Sequence, residues 1–148
     1  MTPGAYYELA RSRVAISRER LAEQQRFAEE QRRLAAQRYA RQREEAKAAL
    51  ERSRGLLLQS LTEKQRDSLE KHKYFVVEGG ESGIKYRIRD TGHLVANVDV
   101  IRNGVVSHRL CCHAGVDEVP LYDNLLAQKI ALECDEAYFL RLANRHAA

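Results

Sequence analysis

An α+β fold is predicted, with a long N-terminal α-helix followed by a small antiparallel β-meander packed against C-terminal helices. Three observations carry it. The first half of the 148-residue chain has no proline or glycine between Tyr6 and Arg54. The middle holds short apolar/polar alternations punctuated by glycine turns, and the stretch after Pro120 returns to helical composition.

The first element rests on propensity. Ala, Arg, Glu, Gln and Leu make up most of the run from Tyr6 to Arg54, and all of them lose little on entering a helix. Pro3 and Gly4 mark its start and Gly55 is the first breaker. At 1.5 Å per residue such a helix spans roughly 75 Å, too long for a domain of this size to bury. The chain is therefore expected to divide into 1–60, a charged helix serving as an oligomerisation or docking arm, and 61–148, a small α+β domain.

Apolar residues recur along the helix at Val14, Leu21, Ala28 and Ala35, seven apart, with Phe27, Leu34, Tyr39, Leu50 and Leu57 alongside. The positions three further on, Ser17, Gln24 and Gln31, are polar, so the pattern is half of a coiled-coil seam. Val14, Leu21, Phe27, Leu34, Tyr39 and Leu50 are the candidate partner-binding residues. Glu29 and Arg33 stand at attractive four-residue spacing, whereas Glu19 and Glu23 repel.

Charge is distributed unevenly. Of 25 Lys+Arg and 21 Asp+Glu, the stretch to Ser60 holds 13 and 8 and the remainder 12 and 13, so the net +4 belongs to the first half. The interleaved glutamates damp the field that would draw in nucleic acid or an anionic membrane. Arginine outnumbers lysine twelve to one there, and its planar fork suits phosphates and interface carboxylates alike. No run approaches the ~18 apolar residues of a membrane span, and no secretory leader is apparent. A cytoplasmic protein is expected, or a virion component if phage-encoded.

The domain reads element by element. Thr62 and Gln65 form a capping-box pattern, with Leu61 placed to staple, and a short helix should end near His72. Tyr74 to Val77 has strand composition, and Gly79, Gly80 and Gly83 turn the chain into Ile84–Arg89, where Ile84, Tyr86 and Ile88 alternate with Lys85, Arg87 and Arg89. Asp90-Thr91-Gly92 turns it again, Leu94 to Ile101 supplies another strand, and Asn103-Gly104 is a strong hairpin signal before Val105 to Cys112. Three or four strands in meander order follow. Pro120 and Asp123 open a helix carrying Leu125, Leu126, Ile130 and Leu132, and Asp135-Glu136 restarts a turn carrying Tyr138, Phe139, Leu140 and Leu142. Gln128 and Lys129 are expected on its solvated face.

Tyr86-Arg87-Ile88-Arg89, Cys111-Cys112-His113, Leu126-Ala127-Gln128-Lys129, Leu132-Glu133, Asp135-Glu136, Phe139-Leu140 and Ala143-Asn144 together resemble a small domain found in uncharacterised bacterial and bacteriophage proteins. The resemblance covers roughly Leu61 to Arg145 and leaves the long helix unmatched. It implies a portable module in a phage or bacterial context and no particular activity. In that pattern Cys111 and His113 are a recurring Cys-x-His pair, usually followed by proline, where this sequence has Ala114.

Candidate chemistry is sparse. Cys111 and His113, with His108 or Cys134 as supplements, are the weak candidates for a metal, since thiolate and imidazole are ligands zinc prefers. A structural zinc site normally has two such pairs and only one is present. Strand alternation instead puts one of Cys111 and Cys112 into the core and the other outward. Three cysteines form no disulfide framework. Asp117, Glu118 and Asp123 match no calcium loop, and Gly79-Gly80-Glu81-Ser82-Gly83 lacks the Lys-Ser/Thr of a phosphate-binding loop. No cofactor and no catalytic residue are expected. The expectation is a non-enzymatic structural or adaptor protein of a larger assembly, such as a bacteriophage virion or virion-associated component, acting through self-association or protein partners. The alternative is a nucleic-acid-binding or regulatory protein that uses the Arg-rich helix.

Overall fold

The computed structural model describes residues 3–112 and 119–148, and within the first helix the side chains at 4, 7, 8, 11 and from 13 onward. The order of elements is α1 (Pro3–Ser60), α2 (Glu63–His72), β1 (Tyr74–Glu78), β2 (Lys85–Arg89), β3 (Val98–Arg102), β4 (Val105–Cys111), α3 (Leu121–Cys134), α4 (Glu136–Leu142) and β5 (Asn144–His146). The arrangement is α+β, as expected. The chain forms two compact units, Met1–Ala46 and Lys47–Ala148.

The first unit is helix alone. Ion pairs on its surface join Arg33 to Glu30 at 2.9 Å and Arg41 to Glu45 at 2.7 Å. Arg33 thus takes the carboxylate three residues back rather than the expected Glu29. Both pairs are exposed, so solvent and salt screen them.

The second unit begins inside α1. Gly55 was expected to break the helix, but the helix continues through it to Ser60. The physical reason follows at Leu57, which is completely buried in the core. A mid-helix glycine costs about 1 kcal/mol, whereas burying a leucine gains about 1.5–3 kcal/mol. Leu61, expected to staple α2, is buried in the same core.

α2 starts on the expected capping box. The Gln65 backbone N–H donates to Thr62 Oγ1 at 3.3 Å, and the Thr62 N–H donates to Gln65 Oε1 at 3.0 Å. Gln65 Nε2 then donates to the Val76 carbonyl of β1 at 2.8 Å, so one side chain both closes the helix start and ties it to the sheet. The helix ends at Lys73, in the left-handed region at φ 60°.

The sheet has five antiparallel strands in sequence order, one more than the longest meander expected. The extra strand is β5, which returns after α3 and α4 to pair with β4. Asn103 and Gly104, at φ 52° and 80°, make the two-residue hairpin between β3 and β4. The strand expected from Leu94 begins only at Val98. Ala96 takes φ 48°, and its carbonyl accepts a hydrogen bond from Arg89 Nη2 at 2.5 Å, so the backbone before Asn97 is a loop.

Phe75, Val77, Tyr86, Ile88, Val98, Val100 and Leu110 face one side of the sheet, where Leu57, Leu61, Leu69, Leu125, Leu132 and Phe139 cover them. α3 presents Asn124, Leu125, Gln128 and Leu132 to this core. Gln128, expected in solvent, is 3 % exposed, while Ile130 is half exposed. Lys129 is largely shielded and paired with Glu133 at 2.6 Å. The helix is rotated from the expected face because two of its inward residues are amides.

Candidate functional site

The strand registers place a row of side chains across the sheet face opposite the core. Val76 stands beside Arg87, Arg87 beside Asp99, Asp99 beside Arg109, and Arg109 beside His146. One residue from each strand contributes. Neighbouring residues on a strand project to opposite faces, so Val98 and Val100 enter the core while Asp99 between them does not.

Asp99 is nonetheless 3 % exposed, because arginines cover it. Arg109 Nε donates to its Oδ1 at 3.3 Å, Arg89 Nε lies 3.2 Å from the same oxygen, and Arg87 Nη1 is 3.6 Å from Oδ2. A buried carboxylate left unpaired would be strongly destabilising, so these contacts explain why β3 tolerates a charge at its centre. Three guanidinium groups minus one carboxylate leave this cluster a surplus of two positive charges. Among the described residues, Arg87 Nε and Arg89 Nε are buried without a hydrogen-bond partner. The contact of Arg89 Nε with Asp99 is therefore one of charge rather than an aligned hydrogen bond. Arg87 also lies over the Tyr74 ring, 4.8 Å from its centroid, and His72 stacks on that ring at 5.8 Å.

At the other end of the same face Cys111 Sγ and His146 Nε2 are 3.1 Å apart. His146 was not singled out in the sequence. A three-residue polar strand carries no alternation to read, and only the return of β5 brings it beside Cys111. His113, Asp117 and Glu118, the other members of the candidate metal and acidic sets, lie outside the described residues. His108 is in register with Val100 and so faces away from Cys111. Burial, then Arg145 and Arg102, lower its pKa. Cys134 is exposed at the end of α3. Cys112 packs against the core, where burial and then Cys111 raise its thiol pKa. Among the described residues no three His, Cys, Asp or Glu side chains converge as a metal site would require.

The Gly79–Gly83 turn does hold an anion, but one from the chain itself. Glu136, 2 % exposed, accepts hydrogen bonds from the backbone N–H groups of Glu81 at 3.1 Å and Ser82 at 2.8 Å. Ser82 Oγ and Tyr86 OH both donate to its Oε1 at 2.5 Å. Burial by itself would raise the carboxyl pKa, yet the hydrogen bonds from Ser82, Tyr86 and the backbone together bring it below the ordinary carboxylate range. Burial first, then the Glu136 carboxylate, push the Tyr86 phenol well above its usual value. A Cβ on Gly79 would run into this carboxylate, and one on Gly80 into the Glu133 carbonyl. The glycines serve close approach, and the clasp joins the β1–β2 turn to α4.

The candidate partner-binding residues stay on α1. Val14, Leu21, Phe27 and Tyr39 are each at least half exposed, Leu50 is 39 % exposed, and Leu34 is partly covered. Among the described residues no helix is long and apolar enough to cross a membrane.

No family model matches the chain, and no curated protein and no solved structure matches it.

Proposed function

We propose that the chain is a non-enzymatic structural or adaptor protein of a larger assembly, in which residues 1–46 pair with a second copy of the same helix and Lys47–Ala148 is the folded adaptor. The observation that carries this reading is the exposure of Val14, Leu21 and Tyr39, which share one face of a continuous helix. A helix of this polarity gains little alone, and packing an apolar stripe is the usual source of helix stability. A second copy is the favoured occupant for two reasons. The seven-residue recurrence of Val14, Leu21, Ala28 and Ala35 is a self-matching seam, and its alanines allow close approach. Mixed arginine and glutamate flanks pair with their own kind without large net repulsion. Polar residues at Ser17, Gln24 and Gln31 make the association weak enough to depend on concentration. The reading as a bacteriophage virion or virion-associated component rests on the resemblance of Leu61 to Arg145 alone.

Light scattering of the full-length protein tests it. A defined oligomer is expected, reverting to monomer in V14E/L21E with unchanged near-ultraviolet dichroism. A full-length monomer at high concentration overturns self-association. Binding of nucleic acid that depends on the Arg-rich helix then becomes the better reading.

A further inference from the structure

We infer that the outward face of the sheet, around Arg87, Arg89 and Arg109, is a binding site for the phosphodiester backbone of single-stranded nucleic acid. The surface is distinct from α1 and does not depend on how that helix associates.

Charge complementarity comes first. Three arginines share one carboxylate, that of Asp99, so the cluster holds a surplus of two positive charges, and the Lys85 and Glu78 pair in register beside it on the same face adds no net charge. These arginines are held in place. Asp99 engages Arg89 and Arg109 through Nε, on the inner edge of each fork, and the Ala96 carbonyl takes Nη2 of Arg89. The Nη edge of Arg109 is left for a ligand, and the face as a whole is only partly covered, at 34 %, 28 % and 39 % side-chain exposure for Arg87, Arg89 and Arg109. A fork already fixed in one geometry loses less freedom on binding than a mobile lysine would.

The spacing favours a repeating anion over a single small one. Arg87 and Arg89 stand two residues apart on β2, roughly 7 Å, and Arg87 and Arg109 lie two strands apart, roughly 10 Å. The charges are spread across a surface rather than converging on one pocket. At the rim, exposed His72 stacks on Tyr74, which Arg87 covers. The exposed imidazole of His72 is the ring surface there on which a base of any sequence can rest. An acidic peptide would use the guanidinium groups and leave the aromatic rim idle. A duplex is usually read by a helix or ribbon entering a groove, whereas a five-stranded face suits an extended single strand.

The test uses the full chain and a fluorescein-labelled oligothymidylate of about twenty nucleotides, with anisotropy measured across a salt series. R87Q/R109Q is expected to weaken binding about tenfold or more and to flatten the slope of log affinity against log salt by about 1.4, for two lost phosphate contacts. R32Q/R33Q removes the same charge from α1 and is expected to leave affinity within about twofold. Equal losses in the two variants would make the effect one of net charge and overturn the site. Displacement of the oligonucleotide by polyglutamate of matched charge would overturn it in favour of an acidic protein. Should R87Q/R109Q not fold, R109Q alone leaves Arg87 and Arg89 to balance Asp99. It should flatten the slope by about 0.7, and an unchanged slope overturns the proposal.

Discussion

Asn97 and Gln128 exchange two hydrogen bonds, Asn97 Nδ2 to Gln128 Oε1 at 2.8 Å and Gln128 Nε2 to Asn97 Oδ1 at 3.1 Å, with both residues buried. Gln128 Nε2 also donates to the Cys112 carbonyl at 2.8 Å. The pair fixes the loop before β3 against the middle of α3. Removing one amide strands the other, and each stranded buried polar group costs about 1–3 kcal/mol. Gln128→Met is therefore expected to lower stability by about 2 kcal/mol or more in urea unfolding. Asn97→Leu combined with it should cost clearly less than the sum of the two single changes. Strict additivity would mean the amides do not act as a pair.

Glu136 makes stability depend on pH. Its folded pKa lies below the ordinary carboxylate range, so the folded state holds its charge more readily than the unfolded chain does. The resulting stabilisation is fully present above the unfolded pKa, about 4.3. It is lost as pH falls through the lower, folded value. Glu136→Gln should destabilise by about 2 kcal/mol at pH 7, since hydrogen bonds to a charged group are worth about 1.5–3 kcal/mol. The gap between the two proteins should narrow toward pH 3. A gap independent of pH would show that the carboxylate charge is not what the clasp uses.

Leu57 and Leu56 are adjacent on α1, yet Leu57 is wholly buried and Leu56 is 53 % exposed. Leu57→Ala is expected to cost about 2–5 kcal/mol, and Leu56→Ala to stay within about 0.5 kcal/mol. Comparable losses at both sites, read from chemical denaturation, would remove the end of α1 from the core.

Two glycines should respond in opposite directions. Nothing lies within 4 Å of a Cβ at Gly55, so Gly55→Ala should raise stability by about 0.5–1 kcal/mol through helix propensity. At Gly80 the added carbon meets the Glu133 backbone carbonyl, and Gly80→Ala should cost about 1–3 kcal/mol. Thermal melts of the two variants separate the cases directly.

Much of this fold is legible because its signals are local. The Thr62/Gln65 box, the Asn103-Gly104 hairpin and the alternation of Tyr86 and Ile88 each declare a structure within a few residues. The misread parts depend on partners far away in sequence. Gly55 stays helical because Leu57 finds a core, Gln128 is inward because Asn97 meets it, and β5 exists because β4 offers an edge. The candidate site follows the same division. Arg87 and Arg89 were visible as the polar side of an alternating strand, but Asp99 and Arg109 joined them only through strand register. His146 reached Cys111 by the same route, thirty-five residues away.

Gln65 has a consequence for how copies of this chain can meet. A bare strand edge offers a line of unpaired N–H and C=O groups on which a neighbouring chain can add another strand, and sheets that leave one uncovered are prone to aggregate. Here β1 has its Val76 carbonyl occupied by the Gln65 amide, and the opposite edge, β5, is only three residues long. On that side β5 pairs only with Arg109, Leu110 and Cys111, so residues 105–108 of β4 have no further strand partner among the described residues. Strand addition is thereby hindered at Val76 of β1, and the first half of β4 is where a neighbouring chain would find backbone to pair with.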